Sequence, residues 1–356
     1  MLRKLLLLVI IGVAAAFPAA ASATPVSVYG AWLCGNDACT WASVRDMTDF
    51  DAKNRWLINR GDGVPSVNLV VLSFVEPLKL LNKTTDAQTL NGIPRGMTSS
   101  VVNYFKSRNV RVMLSIGGIT YVDAWNQALA ANPTQLGLNA AEAARNLGVG
   151  IEIDYEENTS PNLAGLQAFI DAYRSQFPYD ATGANHAARL TIDLAVGDRW
   201  LIALTRKATA DWLTTTTTPV LDYANAMVAS KQATNAAAAQ ADWQEHIDGK
   251  AQFNPPIPPL AAAKFTGALY IVTGQSPCPE CINFGGSLIN STGTFVQTVQ
   301  TRVGTTSGML GYMFWAAECP STRRICTTPP NSCEGGVGVG AKFYNVPVPM
   351  QALRQN

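Results

Sequence analysis

The chain has 356 residues, 26 of them Lys or Arg and 25 Asp or Glu, so its net charge is close to zero and only 14% of its positions are charged. With no basic stripe and no polybasic cluster, it lacks the electrostatic footprint of a nucleic-acid binder or a membrane-surface binder. Its two histidines, His186 and His246, lie far apart in sequence and offer little for a His-rich metal centre or a Ser-His-Asp triad. The chemistry to look for is carboxylate chemistry, with no cofactor and no metal.

In chain order, Arg3 and Lys4 precede an apolar run from Leu5 to Phe17 and then Ala21-Ser-Ala23. A basic head, a short apolar core and a small-x-small end make a secretory signal over residues 1–23, so an extracellular protein is expected. The run is too short to stay in a bilayer as a spanning helix, and no stable membrane association is expected once it is cut. Seven cysteines, at 34, 39, 278, 281, 319, 326 and 333, read as disulfides in an exported chain. The most local pairing joins Cys34 to Cys39, Cys278 to Cys281, and two of Cys319, Cys326 and Cys333, leaving one thiol over. A zinc site at Cys278-Pro-Glu-Cys281 lacks a second ligand pair at suitable spacing.

Strand-like apolar runs then recur at Val26–Trp32, Val67–Phe74, Val110–Ile116, Leu147–Tyr155, Arg189–Val196, Val220–Ala229, Phe265–Val272 and Met309–Trp315. Between them the pattern predicts helices over Ser99–Arg108, Thr134–Arg145, Pro161–Phe177, Arg199–Trp212 and Gln232–Ile247. Eight strands alternating with helices predict an α/β fold, a single-domain (β/α)8 TIM barrel over residues 24–318. A doubly wound open sheet gives the same alternation, but it usually carries a Gly-rich phosphate turn after its first strand, and Ala31-Trp-Leu-Cys-Gly-Asn36 is no such turn. Residues 319–356, rich in Cys and Gly, are expected to pack on the barrel as an extension.

The fourth strand is the informative one. Ile151, Glu152, Ile153, Asp154, Tyr155 and Glu156 alternate apolar or aromatic with acidic, and a strand's side-chain period of two puts the three carboxylates on one face. Charge in a closed core must be paired or neutralised, so an acidic column climbing to the carboxyl end of a barrel strand reads as the floor of a site. On the third strand, Ser115 and Gly117 share a face, with Gly118 following, and glycine there would let a ligand or another backbone come close.

Ser115-Ile-Gly-Gly118 followed by Gly150-Ile-Glu-Ile-Asp-Tyr-Glu156 resembles the family 18 glycoside hydrolases, the chitinase and endo-β-N-acetylglucosaminidase barrels. Leu221-Asp-Tyr-Ala-Asn-Ala-Met227 resembles their sixth strand and Gly311-Tyr-Met-Phe-Trp315 their eighth. The resemblance implies Glu156 as general acid and Asp154 as the group that orients the substrate acetamide, with Glu152 beneath them. It implies substrate binding by Trp315, Ser115, Gly117, Gly118 and Met227, with Tyr29, Phe74 and Tyr270 in lining positions. The family is substrate-assisted: the sugar's own N-acetyl oxygen is the nucleophile, so one protein acid and one holder of the acetamide suffice. For Glu156 to keep its proton near neutral pH, negative charge from Asp154 and partial burial are the expected means.

Three positions depart from the family pattern. Val149 stands where the motif's first aspartate belongs, Glu152 is one methylene longer than the second, and Ala229 replaces the strand-six tyrosine that would bind the reacting acetamide. The expected activity is retaining cleavage of β-1,4 bonds at N-acetylglucosamine by a monomer, with a polysaccharide or oligosaccharide as partner. A non-hydrolytic, lectin-like barrel or an endo-β-N-acetylglucosaminidase acting on glycoprotein glycans are the other readings. The short stretch between the seventh and eighth strands predicts a shallow groove.

Overall fold

The computed structural model describes residues 27–34, 41, 44–59, 63–194, 201–214, 220–227, 243–270 and 309–315. Eight parallel strands close into a barrel: β1 Val28–Leu33, β2 Leu69–Val75, β3 Arg111–Gly117, β4 Gly150–Asp154, β5 Leu190–Leu194, β6 Ala224–Ala226, β7 Phe265–Tyr270 and β8 Gly311–Trp315. Each pairs with the next, and β8 returns to β1 with Val28 opposite Gly311. Every strand falls inside or within a residue of a predicted run. The fold is a single-domain (β/α)8 barrel.

Strand parity divides the apolar residues into two layers. Ala31, Val70, Leu114, Ile151, Ile153 and Ile192 point outward into a core shared with helix residues such as Phe50, Phe105 and Phe169. Val28, Trp32, Leu69, Val71, Met113, Tyr223 and Met313 fill the lumen instead. Strands covered on both faces carry apolar side chains on both, which is why the sequence shows runs rather than strict alternation. The polar exceptions therefore point to chemistry.

The helices are α1 Met47–Ile58, α2 Pro77–Leu81, α3 Ser99–Lys106, α4 Val122–Ala131, α5 Pro133–Leu147, α6 Leu163–Gln176 and α7 Ile202–Lys207. Where end signals are strong, prediction and structure agree. Asn132 caps α5 by accepting from the Gln135 amide at 3.0 Å, Pro133 opens it, and Gly148 ends it in the left-handed region. Asn162 does the same for α6 through the Gly165 amide at 2.9 Å.

α1, α2 and α4 are not in the sequence prediction. α4 follows a 3₁₀ turn at Ile119–Tyr121 without a side-chain cap, and only Asn132 separates it from α5, so its start carries no local signal. The predicted Arg199–Trp212 helix is α7 running into a π turn at Ala208–Trp212. Of the predicted Gln232–Ile247 helix, residues 243–247 are described and helical, and the helix runs one residue further. Cys34 is disulfide-bonded; the expected leader at 1–23, the other six cysteines, residues 271–308 between β7 and β8 and the expected extension at 319–356 lie outside the described residues. Among the described residues, no helix is long and apolar enough to cross a membrane.

Candidate active site

The site is built where β3 and β4 run side by side. Their register sets Ser115 opposite Glu152 and Gly117 opposite Asp154. Gly117 has φ +118°, and a methyl at its α-carbon would sit 1.9 Å from the Asp154 carbonyl oxygen and 2.3 Å from the Trp125 indole nitrogen. Only glycine allows that approach. The Gly118 amide then donates to the Asp154 carbonyl at 2.9 Å, and the Trp125 indole from α4 donates to the same oxygen at 3.1 Å and to Ile116 at 3.2 Å. What the two glycines admit is thus the backbone of β4 rather than a ligand, together with the Phe74 ring, which lies against Gly118. Phe74 itself is half-buried at the carboxyl end of β2.

Beyond β4 the chain sorts its side chains. Tyr155 turns outward against Trp125, with ring centroids 5.5 Å apart, and its hydroxyl bonds Asn126 and accepts from the Asn162 amide at 3.0 Å. Glu157 closes the loop by accepting from the amides of Thr159 at 2.6 Å and Ser160 at 3.1 Å. Between them Glu156, half-buried at the mouth, lies near enough to Asp154 for its charge to raise the Asp154 carboxyl.

Beneath the mouth lies a buried polar network. Glu152 is fully buried and accepts from the Trp32 indole at 2.8 Å on Oε1 and from the Asn225 amide at 2.8 Å on Oε2. The same amide donates to Asp193 Oδ1 at 2.9 Å, and the Thr266 hydroxyl donates to Asn225 Oδ1. Burial pushes the Glu152 carboxyl up to about 7, against the hydrogen bonds from Trp32 and Asn225 that hold it down. Burial also holds Asp154 well above the usual carboxylate range, reinforced by the charges of Glu156 and Glu152. Asp193 is raised in the same way, by burial first and then by Glu152 and Asp154. A protonated carboxyl is a hydrogen-bond donor, so these acids can bond one another where three carboxylates would repel.

The expected site residues divide accordingly. Glu152, Asp154, Glu156, Ser115, Gly117, Gly118 and Phe74 come together. Ser115 is fully buried opposite Glu152, so it does not line the groove. Tyr29 is a correction: parity turns Gly30 and Trp32 inward and Tyr29 outward into the layer under the helices, so it cannot line the lumen. Met227, just past β6, is half-buried against the main core. Tyr270 and Trp315 are paired in register at the ends of β7 and β8, with side chains outside those described, as is all of Ala229.

Sequence reasoning missed Trp32, Asp193, Asn225 and Thr266. Parity was the available signal: Thr191 and Asp193 alternate with Leu190, Ile192 and Leu194, as the acids of β4 alternate with isoleucines. Among the described residues, no group of His, Cys, Asp and Glu is arranged to hold a metal ion.

The sequence matches no protein-family model and no curated relative. Its structure is similar to a GH18 chitinase from Pseudoalteromonas aurantia, with 13% identity and a TM-score of 0.50 over 73% of this chain and 89% of that one. Chitinases from Bacteroides thetaiotaomicron (14% identity, TM-score 0.48, 82% and 90% covered) and Rhizomucor miehei (15%, 0.47, 79% and 94%) are also similar. At these identities the likeness is one of fold, and the fold is that of a family 18 chitinase barrel.

Proposed function

We propose that this protein is a secreted glycosidase that cleaves β-1,4 bonds at N-acetylglucosamine with retention, in the manner of the chitinases whose fold it shares. The observation that carries the reading is the acidic column of β4, with Glu156 half-buried at the barrel mouth and Asp154 below it, above a Glu152 carboxyl that the Trp32 indole and the Asn225 amide lock in place. In this reading Glu156 gives its proton to the leaving oxygen, and the acetamide oxygen of the bound sugar attacks its own anomeric carbon from the other face. The glycosidic bond breaks as the new C–O bond forms. Asp154 accepts the acetamide N–H and supports the positive oxazolinium. Water, deprotonated by Glu156, then opens the ring and restores the acid. Export is supported by the leader at residues 1–23 and by the disulfide at Cys34.

Glu156→Gln tests the assignment on labelled chito-oligosaccharides. A loss of about 10²–10⁴-fold in kcat, with binding kept, is expected for removing the general acid. Equal and negligible release by wild type and variant, with binding retained, would instead support the lectin-like reading, which the absence of the strand-six tyrosine at Ala229 favours. Glycan release from a denatured glycoprotein distinguishes the endo-β-N-acetylglucosaminidase reading.

A further inference from the structure

We propose that the amino-terminal end of the barrel, opposite the candidate active site, binds a compact inorganic anion on the guanidinium of Arg111, with Arg189 close by. Nothing in this rests on the hydrolase reading. Arg111 opens β3 and Arg189 directly precedes β5. Met113 fills the lumen while Leu190 and Ile192 point outward, so strand parity turns both arginines inward. On β4 between them stands Gly150, where a methyl would lie 2.8 Å from the Arg189 β-carbon. The glycine lets the Arg189 side chain start hard against β4, and its guanidinium lies 5.5 Å from the centre of the inward Tyr223 ring.

The buried carboxylate at this end is already shared out. Asp222 Oδ1 accepts from Arg189 Nη1 at 3.1 Å, and its Oδ2 accepts from Arg174 Nη2 at 3.0 Å and from the Leu190 amide at 2.7 Å. Asp180, on the loop that carries Gly183, accepts from the amides of Thr182 and Asn185, both at 2.9 Å. Lys106 donates to the Gly148 carbonyl at 3.3 Å.

Arg111 is left with one acceptor. It is 5% exposed, its Nη2 donates to the Gly183 carbonyl at 3.2 Å, and its Nε and Nη1 are buried without a hydrogen-bond partner. Burial, then Arg189, lowers its pKa only to about 10, so it carries its charge at neutral pH. A buried cation with unmet donors is costly, and an anion supplies both the acceptor and the counter-charge. The excess positive charge reaches His186, which burial first, then Arg111, Lys106 and Arg189, push down to about 4. Arg111, Arg189 and Tyr223 are each 5% exposed or less, so the ligand is a small ion rather than an acidic chain.

Thermal unfolding of the full chain tests this at pH 7 and fixed ionic strength, with sodium gluconate replaced stepwise by sodium chloride or by sodium phosphate. Wild type is expected to gain about 2–4 °C in melting temperature, reaching a plateau with one or both small anions. A plateau distinguishes a site from the general salting effect of phosphate, which keeps rising with concentration. Arg111→Met keeps an unbranched stem without the charge and should lose that saturating gain. The same gain in R111M, or a wild type that shows no plateau with either anion, overturns the proposal and leaves water as the partner of the Arg111 N–H groups. If R111M does not fold, Arg111→Lys keeps the charge without the guanidinium's donors, and the anion concentration at half-gain should rise several-fold. An unchanged half-gain concentration in R111K overturns the proposal.

Discussion

Glu152 is where one methylene changes a site. The longer side chain reaches across the lumen from β4 to the Trp32 indole on β1 and the Asn225 amide on β6, both at 2.8 Å. Trp32→Phe keeps the ring and deletes the N–H, leaving a buried carboxyl short of a donor. The expected cost is about 1–3 kcal/mol in urea unfolding, with a larger deficit at pH 8 than at pH 5, because the lost bond favours the charged form. An unchanged midpoint at both pH values would show the bond to be immaterial. At this scale the sequence was half legible. The acidic column of β4 announces itself by its period, whereas Asp193, Asn225 and Thr266 are single polar residues whose partners come from other strands. Tyr29 shows the converse: it and Trp32, three residues apart on one strand, face opposite ways, and only the neighbouring strands decide which of them looks inward.

At the scale of elements, the junction of β3, β4 and α4 sets the geometry. Gly117 lets the carbonyl of Asp154 come into contact, and the Trp125 indole N–H, shared between that oxygen and the Ile116 carbonyl, holds it from behind. Gly117→Ala forces a methyl into that carbonyl at a positive φ, so β4 must move away and the Asp154–Glu156 pair with it. We expect a loss of about 3 kcal/mol or more and at least a 10²-fold drop in turnover. Wild-type stability in G117A, read by thermal or urea unfolding, would contradict this geometry. The strands were readable because barrel strands are apolar on both faces and spaced by whole helices. α4 was not, because its start has no cap and its end is one residue from the next helix. Yet α4 carries Trp125, so a part of the site's support was invisible to local pattern alone.

For the molecule as a whole, the raised carboxyls set the pH dependence of stability. Glu152, Asp154 and Asp193 bind protons more tightly folded than unfolded, so their contribution is complete at low pH and is lost as pH rises; for Glu152 that window runs from 4.5 to about 7. Asp51, Asp86, Glu157 and Asp180 act oppositely: hydrogen bonds from side chains or loop amides hold them low, and their contribution is lost as pH falls below the ordinary carboxylate range. His186, pushed down to about 4 chiefly by burial, adds to the acid-side loss below 6.5. Three fully buried acids outweigh one half-buried imidazole, so the melting temperature should peak near about pH 5 and decline toward pH 8, and Glu152→Gln should flatten that decline. A melting temperature that climbs from pH 5 to 8 would refute the balance.

The account stands on a proton donor at the mouth of the barrel serving a sugar that attacks its own anomeric carbon. Proton NMR of a chito-oligosaccharide digest in its first minutes tests it most directly. The β-anomer should appear first with wild-type protein and be lost with Glu156→Gln; an α-anomer formed first, or β product undiminished in the variant, would contradict it.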